Sequence, residues 1–195
     1  MERKIEKWIK QQQLPREVYV KAYEYGVFAP EYPEKYGGTP FEGKAWDNMM
    51  KFIRCDELMR ACEGGLYGSL FVHAISVPPV LQFGNKEQKQ MFADVIKAKK
   101  IAALAISESR FGSDVANIET TARRDETGEY FIVNGNKKWI SNGVKADYYV
   151  VKSWRCCFYC FRFPFSFVCI CVCARVTESS MNRWIDECMS KCTNV

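Results

Sequence analysis

Two short stretches of the sequence bring together hydroxyl, aromatic and glycine residues, which are types that can bind a ligand. In the first, LAISESRFGS, the Ser107 hydroxyl is followed by Gly112, where the backbone can approach a ligand closely, and by Ser113. In the second, KKWISNG, Trp139 and Ser141 lie two residues apart, so in a strand the indole and the hydroxyl would point to the same face. Taken alone, a tryptophan and a serine on a strand are more often core and surface residues than a binding site.

Two further side chains could move protons. Glu108 lies inside the first stretch and is a candidate base. His73 is the only histidine and lies on a predicted apolar helix, where a packed structural role is far more common than catalysis. We therefore interpret His73 as a core residue.

The residues before position 100 are predicted to be helical. Residues 4–13 and PREVYVKAYEYG form two short helices, and the proline- and glycine-rich stretch FAPEYPEKYGGTP is a loop. In FEGKAWDNMMKFIRCDELMRACEGG and LYGSLFVHAISVPPVLQFG the apolar residues recur at three and four, so each is expected to bury one broad face. Pro78 and Pro79 should bend or end the second helix, and NKEQKQMFADVIKAKK forms the last one.

From residue 101 the hydrophobic period changes to two. The segments IAALAIS, NIETTARRD, EYFIVNG, KKWISNG and ADYYVV are predicted strands, and the turn sequences between them are typical of antiparallel hairpins. Four or five strands from about fifty residues would leave several sheet edges unpaired. The pattern therefore predicts the opening part of a β-sheet or barrel.

The stretch LAISESRFGSDVANIETTARRDETGEYFIVNGNKKWISNG strongly resembles the flavin-binding centre of the acyl-CoA dehydrogenases. Upstream, PEKYGG is similar to the family's loop ending in Tyr-Gly-Gly, and FGNKEQKQMF to the segment before its last N-terminal helix. The resemblance runs from about residue 14 to 151. Two motifs in the family's order and at the family's separation are strong evidence of this resemblance, whereas one motif alone would be weak evidence.

The resemblance implies a helical N-terminal domain, a middle β-barrel and a C-terminal four-helix bundle, with FAD between the last two. We accordingly expect an α+β chain, with a helical domain in residues 1–100 whose start is clipped. The first strands of an incomplete antiparallel β-barrel follow in 101–152, and 153–195 form a poorly ordered tail that matches nothing in the family.

The resemblance also implies which residues contact FAD. The flavin ring has an apolar face to cover and a polar edge that needs hydrogen-bond partners. Ser141 would face its N5 atom, Ser107 replaces the family's usual threonine, and Ser113 would also contact the CoA part of an acyl-CoA substrate. The implied cofactor-binding residues are Leu104, Ala105, Ile106, Ser107, Gly112, Ser113, Trp139, Ile140 and Ser141.

Other features of the resemblance bear on activity. Ser109, Arg110 and Phe111 replace the family's usual proline and small residues, which bears on loop shape and CoA fit. The family takes its catalytic carboxylate from the C-terminal bundle, which this chain is expected to lack, so no catalytic base is assigned and Glu108 is interpreted as part of the flavin loop. The implied function is a fragment of a flavin-dependent acyl-CoA dehydrogenase of fatty acid metabolism, inactive alone, from a family of homo-oligomers.

Charge and the N-terminus limit the other classes of function. The 28 basic and 23 acidic residues are scattered without runs of one sign, so we expect no nucleic-acid partner. The N-terminus has early acidic residues and no apolar core, which indicates neither a secretory signal nor a good transit peptide. We expect an intracellular chain, mitochondrial or cytoplasmic, that does not bind membranes.

Eight of the ten cysteines lie after residue 155, in the tail. A zinc site could use Cys157 and Cys160 with Cys188 and Cys192, but the tail has no histidine, and residues 163–174 give only twelve uncharged residues where a membrane anchor needs about twenty. No metal site is therefore assigned. The third hypothesis is translation of a retained intron or shifted frame from about residue 151, which would leave the tail poorly ordered or helical only in patches such as MNRWIDECMSKC. Spliced transcripts that read through to Val195 in this frame, with ordinary codon usage, would contradict it.

Two alternatives to a dehydrogenase fragment stay open. The chain could be a non-catalytic interaction protein whose helical block associates with full-length dehydrogenase subunits, or, as a third choice, a membrane-associated tail protein. Yellow purified protein favours the dehydrogenase fragment, and colourless protein that co-purifies with an intact dehydrogenase favours the interaction protein.

Overall fold

The structure is a computed structural model, and it describes residues 2–11, 14–42, 46–61, 64–127, 130–153, 162–163, 166–167, 169–174 and 188–191. Side chains are described no further than Ser153.

The predicted helical block is confirmed: the described residues of the first half of the chain form six α-helices, where the sequence predicts five, one of them bent or ended at its prolines. Their bounds are α1 Glu2–Lys10, α2 Arg16–Glu24, α3 Asn48–Ala61, α4 Gly64–Ile75, α5 Val77–Phe83 and α6 Lys86–Ile96. The predicted break at the two prolines is confirmed, because α4 ends at Ile75, Ser76 lies in a turn between the two helices, and both prolines lie in the first turn of α5. Asn85 and Gln88 form a capping box that starts α6.

The predicted proline- and glycine-rich loop is confirmed between α2 and α3, and it owes its shape to two glycines. Gly37 has φ +89°, and a Cβ at Gly38 would lie 1.9 Å from the carbonyl oxygen of Tyr32. The backbone itself therefore requires both glycines of the Tyr-Gly-Gly sequence.

Helix α3 differs from its prediction. The apolar periodicity predicts one buried face, but no residue of α3 is buried, and Met49, Phe52, Ile53 and Met59 are each more than half exposed. Arg54 ties the helix to Glu31 in the preceding loop, at 3.2 Å. No described residue covers its apolar face.

The strands in the described part of the chain form three small sheets. Their bounds are β1 Ala102–Ala105, β2 Thr121–Arg124, β3 Tyr130–Asn134, β4 Tyr148–Ser153, β5 Arg162–Phe163, β6 Ser166–Phe167, β7 Cys169–Ala174 and β8 Cys188–Lys191. The sheet orders are β1-β4-β7, β2-β3-β8 and β5-β6. The predicted hairpin is confirmed, since β2 pairs antiparallel with β3 and Thr121 faces Asn134.

Two features of the predicted antiparallel arrangement are wrong. Strands β1 and β4 pair in parallel, with Ala102 facing Tyr148. The segment KKWISNG is not a strand, because Trp139 lies in a bend with φ +61° and residues 141–145 form a turn. A parallel partner requires the chain to cross over before it pairs, and this segment makes the last part of that crossover. The alternation that would set Trp139 and Ser141 on one strand face therefore does not apply.

Strand β1 is buried on both faces. Ala102 packs with the helical block, in a cluster with Val80, Phe92 and Ile96. Ala103 and Ala105 face the opposite way, in a second cluster that contains residues of the β2–β3 hairpin. Strand β1 thus packs against two hydrophobic cores, and this packing fixes the position at which the segment from Ile106 onward begins.

The prediction for His73 is confirmed, because the ring is fully buried in the core. Its Nε2 atom lies 3.0 Å from the carbonyl oxygen of Val95, and the backbone N–H of Ala102 donates to Nδ1 at 3.4 Å. The rings of Tyr19 and Phe28 meet it edge-on. This neutral tautomer joins α4, the end of α6 and the start of β1.

The described parts of the tail are strands. Strand β7 pairs with β4 and β8 pairs with β3, so these segments occupy sheet edges that the earlier strands leave open. Within the predicted helical patch, Cys188–Lys191 is a strand, so the helical prediction is wrong there, and 181–187 and 192 lie outside the described residues. Of the suggested zinc ligands, only Cys188 is a described residue, and no group of three potential metal ligands occurs within the part of the chain that the structure describes.

One helical stretch, Gly64–Phe83, is long and apolar enough to cross a membrane by length and composition alone. Core helices of soluble proteins meet the same criterion, and part of this stretch is buried in the structure.

Candidate functional site

A buried ion pair lies between the two stretches that the sequence singles out. The Lys137 ammonium is 2.8 Å from the Glu108 carboxylate, and the two side chains are 1% and 5% exposed. The same carboxylate accepts hydrogen bonds from the backbone N–H groups of Glu119 and Thr120, at 2.7 and 2.9 Å, and from the Thr120 hydroxyl. Glu108 is therefore a structural anchor for three segments of the chain.

The electrostatics of Glu108 argue against its use as a base. Burial by itself would raise the pKa of Glu108, but the Lys137 ammonium, the Thr120 hydroxyl and two backbone N–H groups hold that pKa below its usual range. A general base must be free to take a proton near the working pH. An ionised carboxylate with four donors around it cannot do so without losing these bonds.

The ion pair also brings the two stretches side by side. Besides Glu108, Lys137 Nζ donates to the carbonyl oxygen of Ile106 at 2.8 Å. The next backbone N–H, of Lys138, donates to the carbonyl oxygen of Ser107 at 2.9 Å, and the N–H of Glu108 closes a loop on the carbonyl of Phe111. Ser107 and the Trp139 bend are thus neighbours through direct backbone contact.

Trp139 has an unusual environment for so large an apolar side chain. Its indole is 81% exposed and its φ of +61° lies in the left-handed region, which bulky residues rarely adopt. The Lys138 ammonium lies 4.8 Å from the ring centroid. Strained backbone persists where surrounding contacts enforce it, and such positions cluster at ligand sites.

The helical block holds the turn that follows Trp139. Asn142, at φ +65°, accepts a hydrogen bond from the Tyr19 hydroxyl and donates one to the carbonyl of Ser69, both at 2.9 Å. Lys145 Nζ donates to the carbonyl of Leu14 at 2.8 Å. Helices α2 and α4 and the α1–α2 connection therefore hold the turn that follows Trp139.

The other predicted site residues lie in β1, in the loop that follows β1, or directly after Trp139. Ala105 is buried, Leu104, Ile106, Ser107 and Ile140 are half-buried, and Gly112, Ser113 and Ser141 are exposed. A Cβ at Gly112 would meet nothing within 4 Å, so packing in the free protein does not require glycine there. Among the described residues, no hydrogen bond or ion pair joins Gly112 or Ser113 to the Trp139–Ser141 segment.

Lys137 is the residue that the sequence analysis missed. A lysine after an Asn-Gly-Asn turn is typical of a solvated surface, and its partner Glu108 lies 29 residues away. A signal was present only in Gly135, whose added Cβ would lie 2.3 Å from the Thr120 hydroxyl oxygen and 2.6 Å from the Thr120 Cα. Glycine at this position therefore lets the turn and the Thr120 segment approach each other closely.

The chemistry of this surface suits a flat aromatic ligand with a polar edge. The Trp139 indole has no described cover, Ser141 lies two residues after it, and the N–H of Lys138 bonds to the Ser107 carbonyl. A Cβ added at Gly112 would meet nothing within 4 Å. A flavin ring needs an apolar contact and hydrogen-bond partners of this kind. The residues present therefore fit the flavin that the resemblance implies.

Fold and site together define the chain as an α+β protein in which a helical block and the beginning of a β domain share one candidate ligand surface. Comparison with known proteins gives the family. The family model described as the N-terminal domain of acyl-CoA dehydrogenase matches residues 1–97, and the model of its middle domain matches residues 103–154. The chain belongs to the acyl-CoA dehydrogenase family.

Individual relatives agree with the family models. The acyl-CoA dehydrogenase apdG of Emericella nidulans is 45% identical over 105 residues, which are 53% of this chain and 24% of that protein. Among solved structures, the acyl-CoA dehydrogenase of Geobacillus kaustophilus has a TM-score of 0.68 at 26% identity and covers 95% of this chain and 50% of its own. An acyl-CoA dehydrogenase of Bacillus anthracis complexed with FAD has a TM-score of 0.64 at 29% identity, over 82% of this chain and 25% of its own. The chain thus spans half or less of the relatives it matches.

Proposed function

We propose that this chain carries the flavin-facing part of a FAD-dependent acyl-CoA dehydrogenase that acts on acyl-CoA thioesters inside the cell, in mitochondria or cytoplasm. The observation that carries the proposal is the exposed Trp139 indole, which has a left-handed backbone angle and directly follows the bond from the Lys138 N–H to the Ser107 carbonyl. A relative of known structure is complexed with FAD, which supports the choice of cofactor.

In this proposal the described residues bind and orient. Trp139 covers the flavin ring, while the hydroxyls of Ser107 and Ser141 serve its polar edge. Gly112 leaves room for close approach, and Ser113 contacts the CoA part of the substrate. When bound, FAD supplies the acceptor for the hydride that leaves the substrate's β carbon.

We further propose that the chain alone does not turn over acyl-CoA. Removal of the α proton needs a carboxylate with a free acceptor, and Glu108, the buried carboxylate between the two stretches, is held ionised by Lys137 and its other donors. The described residues would then bind ligand without supplying the base.

Replacing Trp139 by alanine is expected to weaken FAD binding about tenfold or more, because the ring loses an aromatic contact worth on the order of 1 kcal/mol plus its apolar cover. Quenching of flavin fluorescence on titration with the full chain measures the affinity. Val144→Ala is the matched control, since Val144 is 78% exposed in the same turn, and it should leave the affinity unchanged. Wild-type chain that quenches no flavin, or a Trp139→Ala variant that binds as tightly as wild type, would overturn the proposal.

A second candidate is a non-catalytic module that associates with intact dehydrogenase subunits, and the uncovered face of α3 favours it. The apolar side chains of Met49, Phe52, Ile53 and Met59 lie on one side of this helix. Such a module would need no flavin.

Phe52→Ser tests this second candidate. When the purified chain is mixed with a purified, intact acyl-CoA dehydrogenase, gel filtration should show colourless wild-type chain eluting with the enzyme. Phe52→Ser should abolish co-elution, whereas Lys51→Ser, on the opposite side of α3, should retain it. Separate elution of the wild-type chain and the enzyme would exclude this function.

A further inference from the structure

The burial of Lys137 needs a reason beyond stability. Lysine is almost never fully buried, and a buried ion pair is often no more stable than a well-packed apolar pair of the same size. The Lys137 side chain is nevertheless 1% exposed, with its ammonium between two oxygen atoms. The identity of those oxygens suggests what the lysine does.

The ammonium group of Lys137 contacts the segment that leads out of β1. One partner is the carbonyl oxygen of Ile106, immediately before Ser107, and the other is the Glu108 carboxylate, immediately after it. Ser107 is therefore bracketed by two bonds to a single side chain. Its own carbonyl accepts the N–H of Lys138, the residue before Trp139.

We propose that Lys137 is a positioning residue, whose ammonium sets the distance and orientation between Ser107 and the Trp139–Ser141 segment. This inference rests on the proposed FAD site, since both segments are expected to contact the same ring. Lysine suits the role because one ammonium offers three donors, enough for a carbonyl and a carboxylate at once. Methionine would fill the space and leave the Ile106 carbonyl without this donor.

The competing explanation is that Lys137 only neutralises Glu108. Two variants separate the two explanations. Glu108→Gln removes the negative charge and keeps the Lys137 bond to the Ile106 carbonyl. The double variant Glu108→Gln with Lys137→Met removes both charges and that bond as well.

FAD affinity is the first measurement, by flavin fluorescence on the full chain. We expect the affinity of Glu108→Gln to stay within about twofold of wild type, although the variant holds an unpaired buried ammonium and is less stable. The double variant should bind about tenfold more weakly, the loss expected when one ligand hydrogen bond is misplaced. If the double variant, which is the more stable of the two, instead binds FAD more tightly than Glu108→Gln, the proposed positioning role of Lys137 is wrong.

Amide hydrogen exchange is the second measurement and needs no FAD. The N–H of Lys138 should exchange about tenfold faster in the double variant and at the wild-type rate in Glu108→Gln, relative to the N–H of Lys97 at the end of α6, which bonds to the Ala93 carbonyl. Equal relative rates in both variants would overturn the inference. If wild-type chain binds no FAD, the proposed function fails, and the exchange rates still decide whether Lys137 positions the two segments.

Discussion

Replacing Lys137 by methionine is expected to lower the free energy of unfolding by about 3–5 kcal/mol, because removing one partner of a buried ion pair leaves the other charge uncompensated. The remaining Glu108 carboxylate would keep its bonds to the Glu119 and Thr120 amides but lose its counter-ion. Domains of this size are stable by about 5–15 kcal/mol in all, so a large share would be lost. Urea unfolding followed by circular dichroism at pH 7 measures the change.

The neighbouring lysine provides the control for this prediction. Lys138 is exposed, and its ammonium lies over the Trp139 ring, so Lys138→Met should cost no more than about 1 kcal/mol. The double variant Glu108→Gln with Lys137→Met should regain part of the loss, since no unpaired charge is then buried. Equal stabilities of Lys137→Met and Lys138→Met would contradict the burial of this pair.

Lowering the pH from 7 to 4.5 is expected to destabilise the fold by about 2 kcal/mol through His73 alone. Burial lowers the pKa of His73 to about 4, although the bond to the Val95 carbonyl partly opposes that shift. Between the ordinary pKa of about 6.5 and this folded value, the unfolded chain binds a proton that the folded chain does not. The contribution of neutral His73 to the free energy of unfolding is therefore complete above pH 6.5 and is lost as the pH falls toward 4.

His73→Gln separates this effect from other acid-sensitive groups. The variant keeps an amide that can donate to the Val95 carbonyl, and its free energy of unfolding should be nearly flat between pH 6.5 and 5. Glu108 and Asp147 lower the free energy of unfolding only at lower pH, where they take up protons. Burial would raise the pKa of each carboxyl group, but their hydrogen bonds and ion pairs hold both pKa values below the usual range. Parallel pH profiles for wild type and His73→Gln would show that the histidine is not the cause.

Local patterns in the sequence predict much of the helical block and the β2–β3 hairpin. The paired prolines of α5, the Asn85 cap and the glycines of the Tyr-Gly-Gly loop act on their own backbone, so their effect is visible in a short window. The role of His73 also follows from one window, because its helix is apolar on several sides. These features need no knowledge of the partner element.

The features that the sequence does not predict depend on distant partners. Periodicity finds the apolar side of α3 but cannot say that no described residue covers it. The alternation in KKWISNG is that of a strand, yet Tyr19 and Ser69 hold the following Asn142 in a left-handed turn. Likewise, Lys137 becomes an anchor only because Glu108 comes from another stretch of the chain. Tertiary contacts override local preference at each of these positions.

The double-sided burial of β1 has a consequence for cooperativity. One face of this four-residue strand completes the core of the helices, and the other completes the core of the β2–β3 hairpin. Neither core can open without exposing apolar surface of the other, so melting of the helices and of the hairpin is thermodynamically linked. The boundary between the two family domains is thus visible in the sequence pattern, but it is not a hinge. The binding free energy of a ligand at the Trp139 turn therefore also stabilises the helices against unfolding.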